Sequence, residues 1–95
     1  MELEQLRREI DDLDHQLLRL LNDRAELALK IGKAKQRSNL AVTNRERESA
    51  VLERLVAFNS GPLSNERVST IFRFIMRSCR NLQIDLSEQT IAKDV

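Results

Sequence analysis

Apolar residues recur through the first 38 positions at Leu3, Leu6, Ile10, Leu13, Leu17 and Leu20, then at Leu27, Ile31 and Ala34. The steps alternate three and four, the spacing of a helix with one packed seam. No Pro interrupts the stretch and Gly32 is its only Gly, so the pattern predicts one helix over about residues 2–37. Written as heptads, Leu3, Ile10, Leu17 and Ile31 share a core position, and the slot between the last two holds Arg24. A guanidinium in an apolar seam is as costly as a buried ion unless an anion meets it. Two arrangements satisfy it: a buried ion pair with Asp or Glu of another helix, or a seam that opens there into a pocket for an anionic ligand.

At ~1.5 Å per residue this helix is roughly 50 Å long, against ~25 Å for the diameter of a compact domain of this size. The remaining chain cannot cover such a seam, which predicts a homodimer with helix one packed along its counterpart. Gly32, late in the helix, weakens it slightly or admits another backbone. Residues 38–42 connect to a second helix over about 44–58, opened by Thr43 or Asn44, with Thr43 and Glu46 spaced as a capping box. Its apolar face is Ala50, Val51, Leu52, Leu55 and Val56, with Arg47 and Glu48 one turn earlier at the lip of that face. The run from Asn59 to Leu63 contains Gly61-Pro62 and breaks the chain. Ser64 then caps a third helix over about 65–86, with a seam including Val68, Phe72, Ile75, Met76, Cys79 and Leu82, and Gln83 at its border. Residues 1–86 read as one domain, and 87–95 as a polar tail or linker. The fold class is all-α, three helices with one very long.

Composition narrows the function. With 95 residues and a net charge of +1, the chain lacks the broad basic field of a nucleic-acid binder. No apolar run approaches membrane-spanning length and the N-terminus is not a signal peptide. The one Cys fits a reducing, cytoplasmic setting, and with the one His it argues against a metal site. His15 falls opposite the seam, so no nucleophile–His pair is in view. No Gly-rich phosphate loop and no spaced carboxylate pair occur either. Lys35 follows Arg24 by eleven residues, almost three whole turns, so their bases lie roughly 16 Å apart on one face and can grip one small dianion. Arg7 lies seventeen before Arg24, about 25 Å along the axis. It can contribute only from a partner's helix. Cations and an amide without an acid–base pair suit a reaction that needs one held conformer and stabilised charge, not proton transfer.

Three blocks carry a resemblance: LRREIDDLDHQLLRLLNDRAELALKIGKAK, then VTNRERESAVLERL, then IFRFIMRSCRNLQ. In order and spacing they resemble the all-helical class of chorismate mutases over about residues 3–86. The resemblance implies an intertwined homodimer with two active sites. It also implies the Claisen rearrangement of chorismate to prephenate, on the way to phenylalanine and tyrosine, with no cofactor. It further implies that Arg24 binds a substrate carboxylate and that Arg7 does so in the partner's site. Lys35 would reach a carboxylate and the breaking ether oxygen, and Gln83 would donate to that oxygen. Glu48 would take the ring hydroxyl, helped by backbone near Asn44, with Arg47 on the carboxylate side. Two positions depart from the family: Asn44 is often acidic there, and Cys79 is a small hydroxyl residue in some members, so Cys79 reads as lining more than ligand. Members often sit at the N-terminus of a longer enzyme, so fusion to a downstream domain is expected.

Three other readings compete. An isochorismate pyruvate-lyase shares the fold and cations, and an assay with both substrates separates them. A non-catalytic helical dimerisation or regulatory module would be favoured by loss of Arg24, Lys35 or Glu48, and all three are present. A helical DNA-binding dimer is disfavoured by the balanced charge.

Overall fold

Long stretches of strong helix formers without Pro make three helices, α1 Glu2–Arg37, α2 Arg45–Phe58 and α3 Asn65–Asp94. The structure is a computed structural model that describes residues 2–94, and the side chains of 2–89. The first helix has the predicted bounds. It ends with Asn39 in the left-handed region, φ 56°, where Asn is among the few tolerated residues. The Leu40 N–H then bonds the Lys35 carbonyl at 2.8 Å and the Asn39 N–H bonds that of Gln36 at 3.1 Å. These bonds satisfy carbonyls that the last turn leaves without helical partners.

Two expectations are corrected. The cap of α2 is Asn44, not Thr43: its Oδ1 accepts from the Arg47 N–H at 3.0 Å, so the Thr43–Glu46 box is not formed. Asn caps as well as Thr or better, and it stands one residue closer to the helix. The third helix does not stop near Leu86 but runs to Asp94. The sequence after Leu86 holds neither Gly nor Pro, and polarity alone does not end a helix. Its start is as expected, with Ser64 Oγ accepting from the Arg67 N–H at 3.2 Å.

Both other helices pack against α3. Arg24 meets Cys79 and, one turn on, Ala28 meets Gln83, each pair 55 residues apart, so α1 and α3 run parallel there. The core lies along this contact. Ala28, Gly32, Met76, Cys79 and Gln83 are its buried residues among those described.

The N-terminal half of α1 lies outside the packed region. Every residue from 2 to 20 is exposed. Leu3, Leu6, Ile10, Leu13, Leu17 and Leu20 are each 48–61% exposed, although their spacing is that of a packed seam. The chain measures 60 × 28 × 15 Å, with a radius of gyration of 17.0 Å against ~12 Å for a compact chain of this length. No helix among the described residues is long and apolar enough to cross a membrane.

Candidate functional site

The C-terminal half of α1, the first turns of α2 and the middle of α3 enclose a cleft of ≈ 280 Å³. Arg24, Lys35, Asn44, Arg47, Glu48, Cys79 and Gln83 all line it. The structure thus brings seven of the eight sequence candidates together in one cavity. Arg7 is the exception: it is exposed on the far half of α1 and does not reach the cleft of its own chain.

Each side chain has a local reason for its position. The cap at Asn44 starts α2 so that Arg47 and Glu48 fall in its first turn, and the Asn44 carbonyl accepts the Glu48 N–H at 3.1 Å. The left-handed turn at Asn39 folds residues 40–44 back over α1, where Lys35 Nζ donates to the Val42 carbonyl at 2.7 Å. Gln83, 7% exposed, donates from Nε2 to the Ala28 carbonyl at 2.6 Å. That carbonyl is reachable because Gly32, one turn later, has no side chain. A Cβ on Gly32 would lie 3.0 Å from Gln83 Cγ. What Gly32 admits is therefore the Gln83 side chain, not another backbone. The Ala28 acceptor fixes which end of the amide faces it and leaves the second N–H of Gln83 uncommitted.

Arg24 donates from Nη1 to Cys79 Sγ at 3.0 Å. No carboxylate of the described residues lies within 4 Å of it. Of the two arrangements open to a seam arginine, the intrachain ion pair is absent among the described residues and the seam opens into a cleft. Sulfur is a weak acceptor, and four of the five guanidinium N–H groups remain for a ligand. Cys79 is an anchor for Arg24 in the cleft wall.

Sequence reasoning missed Arg80, which lines the same cleft and forms the ion pair recorded among the described residues, Nε to Glu48 Oε2 at 3.1 Å. Its position is legible in part: residues 76, 80 and 83 share a helical face, and Met76 belongs to the α3 seam that Gln83 borders. The pairing across to α2 had no signal. Apolar lining from Ala28, Val51 and Met76 completes the cavity.

The charges of the cleft decide what it can hold. Four cations, Arg24, Lys35, Arg47 and Arg80, face one carboxylate, Glu48, and that carboxylate is engaged by Arg80. Arg24 and Lys35 are held by neutral acceptors that an anion can displace at small cost. The arrangement suits a small, multiply charged anion with a further polar group for the amide.

Comparison with known proteins gives a consistent result. The family described as chorismate mutase type II matches residues 6–84. The chain is 40% identical over 86 residues to the bifunctional chorismate mutase/prephenate dehydratase of Aquifex aeolicus, covering 86% of this chain and 24% of the relative. It is 47% identical over 73 residues to the protein of that name from Neisseria gonorrhoeae, covering 77% of this chain and 20% of the relative. The chain thus spans about a quarter or less of the curated relatives it matches first. Among solved structures, chorismate mutase form II of Thermus thermophilus superposes with a TM-score of 0.86 at 30% identity, covering 87% of this chain and 94% of that one. Chorismate mutase of Helicobacter pylori in complex with prephenate superposes at 0.84 and 34% identity, covering 90% and 93%.

Proposed function

The chain belongs to the type II chorismate mutase family, and from that we propose that it is an isomerase that rearranges chorismate to prephenate. The observation that carries this reading is the pair of cleft cations, Arg24 and Lys35, that neutral acceptors hold ready for an anion. Chorismate is a dianion with an ether oxygen and a ring hydroxyl. In the rearrangement one C–O bond breaks as one C–C bond forms, and no proton moves. The protein's work is to hold the folded conformer and to stabilise charge.

Arg24 takes a substrate carboxylate, and Arg47 supports the carboxylate side. Lys35 leaves Val42 to reach a carboxylate and the ether oxygen. Gln83 donates its uncommitted N–H to the same oxygen. Glu48 accepts from the ring hydroxyl, and the backbone near Asn44 assists. The Asn44 side chain caps α2, which suits a backbone contact there. The ether oxygen gains negative charge in the transition state, so Lys35 and Gln83 bind that state more strongly than the substrate.

The exposed leucine seam of α1 supports an intertwined homodimer. In it Arg7 of each chain completes the cleft of the other, which a single chain leaves with no residue from the N-terminal half of α1. A cytoplasmic setting fits this chemistry, and fusion to a further domain fits the relatives, whose names are bifunctional.

The test is optical: chorismate loss is followed with wild-type protein and with Arg24→Ala and Lys35→Ala. We expect conversion to prephenate by wild type and losses of about 100-fold or more in kcat for Lys35→Ala. A wild type inactive on chorismate, or active only on isochorismate, overturns the reading.

A further inference from the structure

Glu48 has an awkward position. Among the described residues it is the only carboxylate lining a cleft that suits an anion, and Arg24, Lys35 and Arg47 line the same walls. A flexible glutamate beside three cations ought to fold onto one of them and compete with an anionic ligand. It does not do so here. Glu48 Oε2 is paired with Arg80 Nε at 3.1 Å, with the two side chains 25% and 32% exposed. The Arg80 Nε atom is itself buried, and it lies off the hydrogen-bonding direction, so that the contact is an ion pair without a well-aligned hydrogen bond. Arg80 and Glu48 both also border a second groove between α2 and α3, where Arg45, Arg73 and Arg77 stand. Repulsion from those three like charges favours Arg80 in contact with Glu48, the carboxylate that lines both cavities.

We propose that Arg80 is a positioning residue that holds Glu48 away from Arg24, Lys35 and Arg47, and so keeps those cations free for the substrate and Glu48 available to its hydroxyl. This rests on the mutase reading above. Its content is an internal competition. Without Arg80, Glu48 becomes an intramolecular inhibitor that occupies the cation sites.

Steady-state kinetics on chorismate with wild type, Arg80→Met, Arg80→Lys, Glu48→Gln and the double variant Arg80→Met/Glu48→Gln test this. Arg80→Met keeps the aliphatic stem and removes the charge. It should raise KM about 10-fold with a smaller change in kcat. Arg80→Lys should give an intermediate KM, which a loss of fold would not produce. Removing the Glu48 charge in the Arg80→Met background should not raise KM further and should recover part of the loss. A KM for Arg80→Met within about twofold of wild type, or losses that multiply in the double variant, would overturn the proposal. A wild type without mutase activity sinks the underlying reading, whereas an active wild type with multiplying losses sinks the role of Arg80 alone.

Discussion

Gly32 has no side chain, and the contact between two other residues depends on that. The space it leaves admits Gln83, and through it Gln83 reaches the Ala28 carbonyl at 2.6 Å. Gly32→Ala would normally stabilise a helix interior by up to ~1 kcal/mol. Here the added Cβ must displace a buried side chain by a few tenths of an ångström, because it would stand 3.0 Å from Gln83 Cγ. We therefore expect Gly32→Ala to change the melting temperature little while kcat falls at least several-fold, because a small misplacement of a donor weakens transition-state stabilisation. Thermal melts and turnover measured on one preparation check this, and a variant of full activity would show that Gln83 tolerates the shift. Arg24 was legible in the sequence because it breaks the heptad, whereas Gln83 only bordered a seam and was singled out by the family resemblance. The Arg80–Glu48 pair was not legible, since register between α2 and α3 is set by packing and leaves no periodic trace along the chain.

Helix ends place the working groups. The spacing of apolar residues was enough to fix α1 at Glu2–Arg37, and the Gly61-Pro62 break with the Ser64 cap fixed the start of α3. The α2 start lay between two candidates, since Thr43 and Asn44 are both good caps, and the chain path chooses Asn44. The end of α3 was missed because good helix formers run on past Leu86 with nothing to stop them. The turn after α1 yields a test. Asn39, at φ 56°, directs residues 40–44 back over the helix, and the Lys35 to Val42 bond depends on that path. Asn39→Gly should leave stability unchanged or slightly raised. Asn39→Val should cost about 1–2 kcal/mol and lower kcat/KM beyond what unfolding explains, since Lys35 loses its support. Denaturant melts with kinetics on the folded fraction separate the two effects; equal behaviour of Gly and Val would refute this role for the turn.

At the scale of the molecule, the three-helix architecture was readable from the pattern alone, and the excess length of α1 was enough to predict a partner. The structure gives that argument its observation, six seam residues 48–61% exposed on one chain, where soluble monomers seldom expose so long an apolar stripe. If each cleft takes Arg7 from the other chain, two inactive variants can repair one another. Arg7→Ala mixed with Lys35→Ala under exchange should form about half mixed dimers, each with one intact site of two, and so recover about a quarter of wild-type activity. Recovery no greater than the sum of the separate variants would place Arg7 outside the site. The exposed seam of α1 has one more consequence. If that stripe is met only by another chain, the single chain has little stability of its own, and its stability is a property of concentration. Dilution then acts as a denaturant, and the lower limit of useful expression in a cell is set by mass action between copies rather than by the rate at which either one works.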